Sequence, residues 1–409
     1  MRYEGYKLKL NIESISLLFF DLTFFLFAFV GINTDAFNAK LKVFYIPGDK
    51  NIYHIILCLL VMVIMILLRR GSVRVDAVTI LLFVKMLFDY FSSYVLNGVS
   101  FAENWTRWFQ TDMGFIFYFI AVNLDIKPKE LVKRFQIFVT IIGFQVIWTF
   151  LVNTNQGLAS FVLKNSMRIP FALSNVIAGV LVAGVVCVLL EKEKSRVIKT
   201  IQCSFYMIAL FLTYSRGGIV LLDFIVLWSI KQSVKIKKKL RWYVLWATVN
   251  VAAILVVFFV MPELQTLVIG VKASAATLND LSTNRIDLLA YAFDEFCKNP
   301  LFGRGVYYDK NVFVGSTGIH NIFMELLALS GIVGTVLYMS AVINCVRKSN
   351  IIQISKIDNY QIVLFGIVFS FFLNSMFEVV YFNYIFDALF WSFMGILVSN
   401  SYQTSYLLE

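Results

Sequence analysis

Two short stretches combine residue types that could carry out group-transfer chemistry. The first is Ser215-Arg216-Gly217-Gly218, set between two apolar runs. A guanidinium is permanently charged and presents a planar fork of donors, which suits an oxyanion. The glycines after it permit a tight turn and a close backbone approach. The second is Gly318-Ile319-His320-Asn321, where a polar segment gives way to an apolar run. An imidazole at such a boundary can take up and release a proton near neutral pH. Each has a structural alternative. Arg216 can pair with Asp223, seven residues on and on the same helix face, or snorkel to an interface. His320 can hydrogen-bond a neighbouring loop. The only histidines are His54 and His320, and there is no His-Glu-x-x-His or Cys/His cluster, so neither a metal site nor a cofactor is expected.

The elements that position these residues follow from composition. Of 409 residues, 59% are apolar and only 15% are charged, with 41 phenylalanines. A soluble domain of this size has too little interior to hide so much apolar surface. The expected class is an all-α polytopic membrane protein forming one membrane domain, 1–409. The net charge of +11 is read as loop cations that set topology and touch anionic lipid, with no nucleic acid as partner.

A bilayer core of about 30 Å takes roughly 20 helical residues. Twelve apolar runs fit that ruler: 15–32, 52–68, 75–96, 109–125, 135–152, 170–190, 198–214, 217–230, 242–260, 320–346, 360–377 and 384–400. The run 15–32 follows a basic start but lacks a small-residue cleavage site, so it reads as a retained first helix. Loops on one side carry 23 Lys and Arg and those on the other 12, with Lys85 inside a span. The richer side is expected to be cytoplasmic and to hold both termini. Between Lys199 and Lys231 lie 31 residues for two crossings. At about 1.5 Å per residue each leg reaches only ~23 Å, so the turn at Arg216 is expected to be recessed, where an arginine needs a wet cavity or an anion.

One outer-face loop, 261–319, is far longer than the rest. Asn284 followed by Asp287 reads as a helix start, and Lys298-Asn299-Pro300 as its stop. Ile286, Leu289, Phe293 and Phe296 then form one face of an amphipathic helix, directed at lipid or at the bundle. Of the five cysteines only Cys297 falls in a polar loop, so no disulfide is expected. Lys85 and Asp89, at i and i+4 inside a span, are expected to neutralise each other. Asp21 and Asp387 are expected to line a cavity or pair with arginines.

Thr213-Tyr-Ser-Arg-Gly-Gly218 resembles the Ser-Arg-Gly turn of the O-antigen ligase and O-antigen polymerase superfamily. Arg285 with its aromatic amphipathic helix, Pro300-Leu-Phe-Gly-Arg-Gly305, His320-Asn321 and Gly331-Ile-Val-Gly334 follow in that family's order. Arg168 with Ser174-Asn175 and Ala178 is similar to the family's earlier arginine…Pro-Asn…Ala element, with serine in place of the usual proline. The motif-bearing part runs from about 168 to 334; the first 150 residues match only in span count and hydropathy.

The resemblance implies a type C membrane glycosyltransferase-like fold in the bacterial cytoplasmic (inner) membrane. It implies an enzyme that moves a sugar chain from an undecaprenyl-pyrophosphate-linked donor to a hydroxyl acceptor on the outer face, without a metal. On it, Arg216, Arg285 and His320 are the catalytic candidates. Arg168, Arg304, Asn175 and Asn321 are substrate-binding candidates, and Glu325 and Glu378 are carboxylates that could assist. Partners implied are membrane lipids, a flippase and a chain-length regulator. The leading reading is a polymerase of O-antigen or capsular repeat units; the alternatives are a ligase acting on lipid A core and, further off, a lipid-linked sugar transporter.

Overall fold

The computed structural model describes residues 12–31, 43–69, 72–98, 100–101, 108, 111–154, 167–233, 236–259, 285–306, 319–349, 351, 358–377 and 383–406. Over these residues the chain is helical almost throughout. The helices are α1 (Ile12–Phe29), α2 (Lys50–Leu68), α3 (Ala77–Tyr90), α4 (Gly114–Asn123), α5 (Pro128–Thr154), α6 (Ser174–Leu190) and α7 (Arg196–Leu212). They continue with α8 (Arg216–Ser233), α9 (Ile236–Phe259), α10 (Arg285–Lys298), α11 (Ile322–Lys348), α12 (Asn359–Asn374) and α13 (Tyr384–Tyr406). A two-residue parallel strand pair, Val30–Gly31 with Ile46–Pro47, ties the end of α1 to the approach to α2.

Every one of the twelve apolar runs contains a helix, and α10 is the additional one. By length and composition, five helical stretches among the described residues are long and apolar enough to cross a membrane: Ile12–Phe29, Lys50–Leu68, Ala77–Leu96, Pro128–Val152 and Ile322–Lys348. Three apolar helices, α4, α6 and α12, are shorter. The protein is an all-α, multi-pass membrane protein.

Helix starts follow the local chemistry. Asp49 caps α2 through Asn51 N (2.9 Å) and Ile52 N (3.3 Å), and Asp76 caps α3 through Val78 N and Thr79 N (3.1 and 3.0 Å). A short polar side chain before an apolar run thus satisfies donors that the first turn leaves without partners. The core is centred on α6, nearly every residue of which is buried, with α5, α7, α8 and α12 packed around it. A second packing centre joins α4 to α13, where Trp391 is fully buried against Tyr118 and Tyr338. Leucines, isoleucines and phenylalanines of α2, α3, α5 and α7 face outward, as lipid contact requires.

Two helices depart from regular geometry. The apolar run 75–96 turns from α3 into a π-helical turn at Phe91–Leu96, closed by Asn97 N to Ser92 O at 3.1 Å. In α11, Gly331 adopts φ 61° and ψ −165° and breaks the helix. π-turns and helix breaks inside membranes recur at functional sites, because they free backbone groups and re-aim side chains.

Candidate functional site

The two irregularities meet at one loop. At the break in α11, Ala328 and Leu329 have carbonyls, and Ile332 and Val333 have N–H groups, without helical partners. The segment Pro300–Gly305 supplies them. Arg304 N donates to Ala328 O (3.0 Å) and Gly305 N to Leu329 O (2.9 Å), while Ile332 N donates to Pro300 O (2.9 Å) and Val333 N to Leu301 O (3.2 Å). The π-turn grips the same segment from the other side: Ser92 Oγ donates to Phe302 O (2.7 Å), and Val306 N donates to Ser93 Oγ (2.7 Å). Glycine is obligatory here. Gly303 and Gly331 have φ of 70° and 61°, and a Cβ on either would lie within 2.4 Å of main-chain atoms of the other segment. Ser92 and Ser93 were not singled out in the sequence; the available signal is a Ser-Ser pair in a helical apolar run, a known site of helix distortion.

The turn before α8 is built the same way. Thr213 Oγ1 donates to Leu210 O (2.7 Å), Ser215 Oγ accepts from Gly218 N (3.1 Å), and both residues are fully buried. Ser215 Oγ also donates to Asn175 Oδ1 at 2.9 Å, joining the Arg168–Asn175 element to the Arg216 turn. A Cβ on Gly218 would lie 2.6 Å from that of Ala178, so glycine lets α8 close onto α6. Arg168 bridges to Leu173 across a short turn, and the buried Lys50 ammonium holds that turn through Pro170 O and Phe171 O, each at 2.5 Å.

Among the described residues, only Tyr214 (φ 53°) and His320 (φ 58°) are non-glycine residues with positive φ. Each sits in one of the two stretches with which the sequence reading began. Strain of about 1–3 kcal/mol per such residue is retained where the surroundings over-determine it, often at a functional site.

Arg216 lies half-buried at the head of α8. Burial, and after it the like charge of Arg285, hold its guanidinium below the ordinary arginine range, which still leaves it charged at neutral pH. The two arginines therefore share an electrostatic neighbourhood. Asp223 does not take up the alternative pairing with Arg216; it faces Asn250 and Trp246 of α9.

Arg285 opens α10, whose inner face packs on the first half of α11. Leu288, Leu289, Tyr291 and Ala292 meet Ile319, Met324 and Ala328. The expected apolar face thus divides between the bundle and the outer side. Leu289 does face the bundle, but Ile286 and Phe293 are 49% and 57% exposed, because the docked face is rotated toward the small Ala292. Arg304 is buried at 4% exposure beneath this helix. Its Nη1 donates to Tyr291 OH at 2.8 Å, its guanidinium lies 5.8 Å from the Tyr291 ring centroid, and Glu295 is 4.0 Å away. It fastens α10 to the loop. At the far end of α10, outside the spans, Asp294 and Glu295 pair with Lys298 and hold its ammonium more firmly protonated.

Asn321 caps α11, accepting from Phe323 N and Met324 N (both 3.1 Å), and its Nδ2 reaches Met376 O at 3.4 Å. Ile322 N donates to Ser375 O (2.9 Å), which seats this end of α11 on the end of α12. Glu325 is buried one turn inside α11. A cavity with room for about one water molecule is lined by Ile322, Ser375, Tyr338 and the buried Asp387. Asp21 does not share this cavity; it is exposed and pairs with Arg134 at 2.9 Å. Glu378 and Asn284 lie outside the described residues.

An all-α bundle in which Pro300–Gly305 is stitched into a broken helix, with Arg216 and Arg285 near enough to act on each other, defines a membrane protein with a pair of neighbouring arginines. Residues 200–339, about a third of the chain, match the family model described as O-antigen ligase. That stretch carries Arg216, Arg285, Arg304, His320, Asn321 and Glu325, while Arg168 and Asn175 precede it. It bears out the resemblance to the O-antigen polymerase and ligase superfamily, whose members are membrane glycosyltransferase-like enzymes. A comparison with curated proteins found no match.

Proposed function

We propose that the protein joins oligosaccharide repeat units carried on a polyprenyl pyrophosphate into a longer polysaccharide, at the outer face of the cytoplasmic membrane. The observation that carries this reading is the electrostatic proximity of Arg216 and Arg285 within the O-antigen ligase family domain. Two guanidinium groups held near each other in a half-buried site present paired forks of donors to an anion. A sugar pyrophosphate is such an anion, and its need for positive charge grows as the leaving group departs.

In this scheme an acceptor hydroxyl oxygen attacks the anomeric carbon of the donor sugar. The bond from that carbon to the pyrophosphate oxygen breaks, and Arg216 and Arg285 stabilise the departing charge, with Arg168 on the adjoining turn. His320 orients the hydroxyl and takes up its proton. Asn175 acts by holding Ser215, and Arg304 by holding α10. A flippase that delivers repeat units and a chain-length regulator are the partners expected.

Deleting a polymerase leaves single repeat units on the carrier, or one unit on the final acceptor. Deleting a ligase leaves long polymer on the carrier, and deleting a transporter traps single units facing the cytoplasm. A gel ladder combined with an accessibility assay of the carrier-linked sugar distinguishes the three. The single-unit outcome on the outer face is expected; long carrier-linked polymer would replace this reading by the ligase.

A further inference from the structure

Lys85, Asp89 and Asp112 form a charged cluster that the glycosyl-transfer scheme leaves unused. All three lie in or beside apolar runs and are almost fully buried, at 2%, 0% and 6% exposure. The Lys85 ammonium binds Asp89 Oδ2, one helical turn on in α3, and Asp112 Oδ1 at 2.6 Å, just before α4. The sequence reading paired Lys85 with Asp89 and left Asp112 out. With both carboxyl groups ionised the cluster carries a net charge of −1.

Nothing around it supplies the missing positive charge among the described residues. The groups facing it from neighbouring elements are Tyr94 of the π-turn, Tyr338 of α11 and Asp387 of α13. Two of these are neutral and the third is another acid. Asp89 Oδ1 and Asp112 Oδ2 are buried with no hydrogen-bond partner among the described residues, and so is Asp387 Oδ2. One ammonium, bonded to an oxygen of each, holds the Asp89 and Asp112 carboxyl groups next to each other. Two carboxylate oxygens have no hydrogen to place between them; a carboxylic acid and a carboxylate do. A net charge and unsatisfied anionic oxygens are both costly in a bilayer interior.

We propose that this cluster is a proton-binding site: one proton held between the Asp89 and Asp112 carboxyl groups makes the set with Lys85 neutral. Two carboxyl groups that cannot both ionise at close range share a proton in the same manner in other proteins. The site stands one turn before the π-turn, whose Ser92 and Ser93 hold the Pro300–Gly305 segment. Proton occupancy thus locks the end of α3 to the start of α4 directly beneath the loop anchor.

Infrared spectroscopy of the full chain in lipid nanodiscs tests this, because a protonated carboxyl gives a band that a carboxylate lacks. A protonated-carboxyl band is expected at neutral pH. It should vanish in Asp112→Asn and also in Asp89→Asn, since either change neutralises the cluster without a proton, while the amide preserves size and hydrogen bonding. Lys85→Met should instead roughly double the band, as two carboxyl groups without a cation each take a proton. Asp387→Asn should leave the band of the pair in place. Absence of the band in the wild type would overturn the proposal, as would its loss only in Asp387→Asn. Its disappearance when sodium replaces choline at constant ionic strength would assign the site to a metal cation and overturn it equally.

Discussion

Replacing Gly303 by alanine should detach the loop from α11 without unfolding the bundle. A left-handed φ costs an L-residue about 1–2 kcal/mol. The new Cβ would lie 2.3 Å from the carbonyl carbon and oxygen of Leu329, which are main-chain atoms and cannot swing aside. Overpacking of that kind adds about 1–3 kcal/mol, for a sum of about 2–5 kcal/mol. The four main-chain bonds between the segment and the helix contribute about 0.5–1.5 kcal/mol each, roughly 2–6 kcal/mol together. The two ranges overlap, so the docked and undocked states come close to balance. Gly98 provides the control. Its φ is also positive, at 64°, but nothing lies within 4 Å of its Cβ position, so Gly98→Ala bears the φ cost alone. The assay is hydrogen exchange of the loop amides of Arg304 and Gly305, which donate to Ala328 O and Leu329 O only when the segment is docked, in detergent or nanodiscs. At about 1.4 kcal/mol per tenfold, Gly303→Ala should speed their exchange by about 30-fold to several thousand-fold. Gly98→Ala should leave them unchanged. Wild-type protection of these two amides in Gly303→Ala would refute the reasoning.

Arg216→Ala and Arg285→Ala should each nearly abolish chain formation at normal membrane abundance, and lysine at either position should rescue poorly because it offers a point charge in place of a fork; a normal ladder from Arg216→Ala would sink the anion site. Lys50→Met should destabilise the protein by about 1–3 kcal/mol, by leaving the buried carbonyls of Pro170 and Phe171 without a donor, and a wild-type thermal midpoint would remove that role. Cys297, the exposed cysteine of α10, should react with a membrane-impermeant thiol reagent applied from outside, whereas the buried Cys58, Cys187 and Cys345 should not; labelling of Cys297 only after the cytoplasmic side is opened would invert the topology. His320→Ala should slow chain formation more than it shortens the chains, and normal rates would reduce His320 to a structural residue.

The parts of the fold legible in the sequence were those set by local patterning. Apolar runs located the helices, and the Lys298-Asn299-Pro300 stop agrees with the end of α10 at Lys298. What escaped was everything decided by partners distant in sequence. The inward face of α10 is chosen by how closely Ala292 approaches Ala328, which no periodicity within α10 encodes. Asp112 joins Lys85 across 27 residues, and an i, i+4 rule finds only Asp89. Gly303, Gly305 and Gly331 were visible as a motif, but their shared purpose is a main-chain contact between two segments. Arg304 illustrates the limit for the site. Its charge marked it as an anion ligand, yet its burial against Tyr291 and Glu295 gives it a scaffolding contact that sequence reading cannot separate from binding.

The break in α11 has a consequence for the order of assembly. In hydrocarbon, a backbone group with no hydrogen bond is too costly to persist. At Gly331 those groups are satisfied, among the described residues, by Pro300–Gly305, so the break cannot exist before that segment arrives. Before it does, α11 must be a continuous helix, and glycine at 331 permits that because it accepts either sign of φ. Seating of the loop and breaking of the helix are therefore one concerted event. Since Pro300–Gly305 leaves the ribosome ahead of α11, both halves of the joint are at hand once Val333 has been made, well before α11 is complete at Lys348.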